Sequence, residues 1–195
     1  MDNTDRPTDN AATVAEHLAA ALQAAGQPYA LGGAIALGYW GAPRGTLDVD
    51  VTVFFPPDRS AECLWLLQKI GCEMDTVAAL DSLRDSGYCQ VALGGLRVDV
   101  FLPTIPFYEV ARLRRREVRL GTHTVSVWDA ESLVVFKMMF FRRKDLADVE
   151  QILRSRGPEL DRAWIRQHLV DIYGARDPRI AQWDDLASEI PARPE

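Results

Sequence analysis

Gly45-Thr-Leu-Asp-Val-Asp-Val-Thr-Val-Phe54 is the stretch on which the reading of this chain turns. It is rich in Val and Thr, which favour strands. Successive side chains of a strand point to opposite faces, so Leu47, Val49, Val51 and Val53 share one face, and Asp48, Asp50 and Thr52 share the other. Two carboxylates about 6–7 Å apart along one face repel each other unless a proton or cation lies between them. A hard divalent ion such as Mg²⁺ relieves that repulsion and takes carboxylate and phosphate oxygens together. The strand, predicted over 46–55 and ended by Pro56-Pro57, therefore reads as half of a metal site for a nucleotide.

Upstream, a short strand over 28–31 runs into Gly32-Gly33, and 34–39 reads as one or two helical turns. A glycine turn opening a helix offers backbone N–H groups and a helix N-terminus to phosphate oxygens, so Gly32 and Gly33 are candidate nucleotide-binding residues. Downstream, Leu96-Arg-Val-Asp-Val-Phe-Leu102 alternates in the same way, with Arg97, Asp99 and Phe101 on its polar face. If this strand lies beside the first, Asp99 joins Asp48 and Asp50. Three carboxylates can hold two divalent ions about 3.5–4 Å apart. Asp48 and Asp50 would ligate metal bridging to the phosphates. Asp99 would ligate the ion that activates an attacking hydroxyl, and would serve as its base.

The rest of the chain frames this site. Residues 1–9 read as a disordered leader, and 10–25 as an amphipathic helix capped by Asn10 and stopped by Gly26. Helices are expected over 59–70, 77–85 and 106–115, with hairpins over 88–102, turning at Gly94-Gly95, and over 117–127. From 129 onward helix dominates, over 129–141, 144–156, 161–173 and 178–190. The expected architecture is α/β (α+β): a catalytic domain over 10–128, then a helical region over 129–195.

Five more residues enter the candidate site. Lys137 interrupts the apolar run Leu133-Val-Val-Phe-Lys-Met-Met-Phe-Phe141 in a chain with three lysines against nineteen arginines, and a triphosphate or base is its expected partner. At helical spacing Lys144 lies seven residues on, and Asp148 four beyond that. Arg44 and Thr46, just before the Asp-bearing strand, are placed to meet phosphates. A basic island, Arg112, Arg114, Arg115, Arg116 and Arg119 with Arg142 and Arg143, suits a phosphate-rich acceptor such as RNA. The net charge of −6 argues against a broad, non-specific nucleic-acid surface. No run of about 18 apolar residues exists, the start carries no signal-peptide pattern, and Cys63, Cys72 and Cys89 have no metal-ligand spacing. Reduced core thiols in a cytoplasmic protein, with no membrane partner, are expected. The five tryptophans are expected in the core or an interface.

The segments Tyr29-Ala-Leu-Gly-Gly-Ala34, Arg44-Gly-Thr-Leu-Asp-Val-Asp-Val51 and Arg97-Val-Asp-Val100 together resemble the DNA polymerase β-type nucleotidyltransferase superfamily. That resemblance implies a polymerase β-like mixed sheet with flanking helices, and Mg²⁺-dependent transfer of a nucleoside monophosphate from an NTP to an acceptor hydroxyl with release of pyrophosphate. The stretch Lys137-Met-Met-Phe-Phe-Arg-Arg-Lys-Asp-Leu-Ala-Asp148 is similar to a pattern of the AbiEii/MenT-like toxins and related bacterial nucleotidyltransferases. It implies tRNA or another macromolecule as acceptor, with a cognate antitoxin as partner. The layout also resembles the aminoglycoside nucleotidyltransferases, whose acceptor is a small sugar. Ala34 stands where the superfamily usually has Ser or Thr, which removes one hydrogen bond to phosphate, worth about 0.5–1.5 kcal/mol. It is the feature that favours a third reading, a non-catalytic nucleotide-binding or partner-binding module. Retention of three carboxylates, costly to a scaffold that gains nothing from them, argues the other way.

Overall fold

A computed structural model describes residues 10–190; the leader expected over 1–9 lies outside the described residues. Six strands form one mixed sheet in the order β3-β4-β2-β1-β6-β5. They are β1 (Tyr29–Leu31), β2 (Asp48–Val53), β3 (Tyr88–Leu93), β4 (Leu96–Phe101), β5 (Arg116–Leu120) and β6 (His123–Val127). The decisive pairing is β2 beside β4 in parallel, with Asp48 opposite Arg97 and Asp50 opposite Asp99. β1 runs antiparallel to β2 and parallel to β6, and β3–β4 and β5–β6 are hairpins. The α/β architecture with a mixed sheet and flanking helices is the one expected.

Alternation explains why the central strands sit where they do. Val49, Val51, Val53, Val98, Val100 and Leu102 are fully buried and join one apolar cluster with Leu18, Leu22, Leu64 and Leu67. At about 25 cal/mol per Å² removed from water, this shared burial fixes the register of β2 and β4. The Asp-bearing strand is shorter than expected. It begins at Asp48, and Leu47 lies outside it and is exposed rather than buried. Thr46 is held instead in a local turn, its hydroxyl bonded to the Asp48 carboxylate.

Helix α1 (Ala11–Ala24) is capped as expected, the Asn10 side chain accepting from the Thr13 N–H at 3.0 Å. It packs on β1, β2 and β6. The helices α2 (Gly33–Trp40), α3 (Ser60–Ile70), α4 (Thr76–Ser86) and α5 (Phe107–Arg114) follow, then α6 (Ala130–Phe140), α7 (Arg143–Arg156), α8 (Arg162–Tyr173) and α9 (Pro178–Glu189). α6 lies against α2, α7 and α8. Between α6 and α7 the chain turns a corner, with Phe141 left-handed at φ 56° and Arg142 extended. Lys137 and Lys144 therefore do not share one continuous helix face. Cys63, Cys72 and Cys89 are buried free thiols. Among the described residues no helix is long and apolar enough to cross a membrane.

Candidate active site

The parallel register of β2 and β4 brings Asp48, Asp50 and Asp99 to the floor of one cavity of about 570 Å³. Gly32, Gly33, Arg44, Thr46, Lys137 and Lys144 line it as well. Of the ten residues singled out in the sequence, nine therefore meet at this cavity. The exception is Asp148, which lies behind its wall.

Gly33 shows why the glycine turn is needed. Its φ is +52°, and a Cβ there would sit 1.7 Å from Asp50 Oδ2. The Gly32 N–H, expected to face phosphate, instead donates to the Asp50 carbonyl at 2.9 Å. The glycine pair thus packs the backbone directly against the carboxylate strand, and Ala34 next to it is buried.

The three carboxylates have different surroundings. Asp48 accepts from Thr46 and from Arg97 Nη2. Partial burial pushes its carboxyl up, but these two bonds outweigh it and hold Asp48 below the usual carboxylate range. Asp50 is pushed the other way, up to about 6, first by burial and then by the charges of Asp48 and Asp99. Asp99 accepts from the Tyr88 hydroxyl at 3.0 Å, and Arg97 Nη2 lies 3.3 Å from its other oxygen. Arg97 therefore spans Asp48 and Asp99.

This donor set suits a divalent cation in its chemistry, being hard carboxylate oxygens, and the pKa of Asp50 among them is raised first by burial and then by the charges of its two neighbours. Its arrangement is closed by Arg97. Among the described residues no group of three acidic, His or Cys side chains is drawn together around a point where an ion would sit.

The basic wall is equally specific. Lys137 is buried on α6, its Nζ 2.7 Å from Asp148 Oδ2 and 3.7 Å from Asp145 Oδ1. Arg44 clamps the same Asp148 with Nε at 3.2 Å and Nη2 at 3.1 Å. Burial would raise the Asp148 carboxyl, but Arg44 and Lys137 outweigh it and hold it low. Asp148 thus pairs with both Lys137 and Arg44, which themselves line the cavity. Asp145 is buried, lines the cavity and accepts from Arg142 Nε at 2.6 Å.

Much of the expected basic island is spent within the fold. Arg112 pairs with Glu109, Arg114 with Asp129 and Glu131, and Arg115 donates to the Tyr29 carbonyl. Arg142 holds Asp145. Trp128 is buried in the core, as expected, and also lines the cavity over Gly32, where a Cβ would lie 3.3 Å from its Cδ1. Sequence reading missed Arg97, Asp145 and Tyr88. The alternation of 96–102 already placed Arg97 beside Asp99, so that residue could have been found.

Comparison with solved structures bears on this α/β fold directly. The chain is similar to the antibiotic-resistance factor ANT(2'')-Ia, solved in solution, with a TM-score of 0.56 and 15% identity over 85% of this chain and 91% of that one. A crystal structure of ANT(2'')-Ia in complex with adenylyl-2''-tobramycin gives a TM-score of 0.54 and 17% identity, covering 81% of this chain and 95% of that one. An antigenic nucleotidyltransferase-like protein from Paracoccidioides brasiliensis gives 0.53 and 18%, over 95% and 94% of the two chains. At these identities the likeness establishes a shared fold. No protein-family model matches the chain, and no curated protein sequence does.

Proposed function

We propose that the protein transfers a nucleoside monophosphate from an NTP to an acceptor hydroxyl and releases pyrophosphate. The observation that carries this reading is the pairing of Asp50 with Asp99 across β2 and β4, under a wall holding Arg44, Lys137 and Lys144. Such a site places carboxylates where a nucleophile is activated and cations where phosphate charge is neutralised. The fold shared with a protein solved with an adenylylated small molecule agrees with it.

Asp48, Asp50 and Asp99 are the residues that would hold Mg²⁺, one ion or two. When bound, the metal would lower the pKa of the attacking hydroxyl and neutralise charge on the phosphate. The chain's own groups supply the rest. Lys137 and Arg44, braced by Asp148, orient the triphosphate, and the exposed Lys144 adds charge at the rim. Thr46 fixes the Asp48 carboxylate. Asp99, steadied by the Tyr88 hydroxyl, stands where it can take the acceptor's proton.

The acceptor divides the reading. A toxin-like enzyme acting on tRNA, neutralised by an antitoxin, drew on the Lys137-to-Asp148 pattern and the arginine island. Of that island Arg116, Arg119 and Arg143 remain exposed on the surface. Transfer to a small hydroxyl compound is the other branch. The reading as a transferase is tested with α-³²P-labelled NTPs, Mg²⁺ and tRNA or small hydroxyl compounds. Asp48→Ala and Asp50→Ala proteins should lose all transfer. Retention of wild-type transfer by either would refute the assignment.

A further inference from the structure

A second cavity, of about 500 Å³, adjoins the first and shares with it Asp50, Asp99, Arg142 and the rings of Phe101, Tyr108, Phe136 and Phe140. Five residues line the second cavity alone: Ser86 ends α4, Tyr88 begins β3, Thr104 lies in the loop after β4, Met139 is on α6 and Tyr173 ends α8. The volume is that of a small-molecule site. Six rings line it: Tyr88, Phe101, Tyr108, Phe136, Phe140 and Tyr173. Tyr88 packs on Phe101 at 5.1 Å between centroids, and Phe101 meets Phe140 edge-on at 5.8 Å, so the rings form a connected wall.

The charge on this wall is small and already matched. Arg142 is its one arginine, and that guanidinium is held by Asp145 and lies over the Phe140 ring at 4.9 Å. Its carboxylates are Asp50 and Asp99. A polyanion would meet those two carboxylates with no unpaired cation on the lining to offset them. A polycation would find no carboxylate beyond the pair that the chemistry needs. Aromatic walls instead reward a flat apolar ring that packs offset or edge-on.

Resting on the nucleotidyl-transfer reading, we infer that this cavity is the acceptor site and that the acceptor is a small, uncharged molecule carrying its hydroxyl on or beside an aromatic ring. With the ring between Phe101 and Tyr173, the hydroxyl points at Asp99. Its oxygen forms a bond to the α-phosphorus of the NTP, and the bond from that phosphorus to the bridging oxygen of the β-phosphate breaks. Pyrophosphate leaves with the electron pair, and the hydroxyl proton passes to Asp99 and on to water.

The test uses phenol, benzyl alcohol and 2-naphthol as uncharged ring probes, tobramycin as polycation and tRNA as polyanion. Each is incubated with the full chain, Mg²⁺ and α-³²P-labelled NTPs, and NTP affinity is measured separately by equilibrium dialysis. The expected result is label on a ring alcohol. Ser86→Trp and Met139→Trp, which fill only the second cavity, should lower kcat/KM for that acceptor by at least about tenfold and leave NTP affinity within about twofold. Aromatic proton shifts of Tyr88, Phe101 and Tyr173 on adding the ring alcohol provide a readout independent of turnover. Label on tobramycin or tRNA alone would overturn the inferred acceptor class and leave nucleotidyl transfer standing. NTP binding with neither label nor shifts from any ring alcohol would overturn it too. Absence of NTP binding in every condition would instead refute the nucleotidyl-transfer reading beneath it.

Discussion

Replacing Asp50 with Asn should stabilise the fold, and more so as pH rises. Burial, helped by the charges of Asp48 and Asp99, lifts the Asp50 carboxyl from 3.8 to about 6. The difference is about two pH units, and each unit is worth 1.36 kcal/mol, so the ionised side chain costs the native state about 3 kcal/mol. The sign follows from proton binding. Between the unfolded and folded pKa values the native state holds the extra proton, so stability falls as pH rises through that window and stays low above about 6. Asp50→Asn removes the ionisation. Its gain over wild type should be small near pH 4 and grow to about 3 kcal/mol near pH 8, which is a Tm increase of about 6–12 °C for a chain of this size. Urea unfolding followed by circular dichroism in EDTA, at several pH values, measures it. A gain that did not change with pH, or a loss that deepened towards pH 8, would refute the electrostatic account of this strand.

Three further outcomes follow from the geometry. Gly33→Ala meets both a left-handed backbone, worth about 1–2 kcal/mol, and a clash with the Asp50 carboxylate; lowered Tm together with lost nucleotide binding in dialysis is expected. Asp148→Ala leaves Lys137 buried with only the more distant Asp145 and frees Arg44, so unfolding in urea should show a loss of about 3–5 kcal/mol and NTP affinity should fall. Arg97→Gln removes the cation that spans Asp48 and Asp99, so Mn²⁺ should bind more tightly in the absence of nucleotide, as read by electron paramagnetic resonance; unchanged or weaker binding would mean that Arg97 does not compete for those oxygens.

The strands and their faces were legible because period-two alternation in 48–53 and 96–101 is a strong local pattern, and burial of one face leaves a single choice of register. The placement of Asp99 beside Asp50 could be read as a consequence of two polar faces needing one another. The contacts of Asp148 were not legible because its partners come from afar. Arg44 lies 104 positions away, and Lys137 belongs to a different helix across the Phe141 corner. Spacing along one helix cannot express either contact. The ion pairs of Arg112, Arg114 and Arg142 were illegible for a similar reason. A cluster in sequence was dispersed into separate ion pairs with Glu109, Asp129, Glu131 and Asp145 once the chain folded. The aromatic lining of the second cavity gathers from β3, β4, α5, α6 and α8, so no local stretch of sequence announces it.

The parallel neighbourhood of β2 and β4 has a consequence for how the chain survives its own folding. β2 pairs with β1 on one side, but its other edge is covered only after α3, α4 and β3 have been made and β4 docks back beside it. Until then a row of Val49, Val51 and Val53 stands at an open sheet edge, the kind of surface on which strands from other molecules add. Asp48 and Asp50 sit on that same edge. Charged side chains interleaved with the valines make a second copy of the strand a poor partner. The acidic pair that β4 later shelters thus also guards the nascent sheet against aggregation during the interval when the pocket does not yet exist.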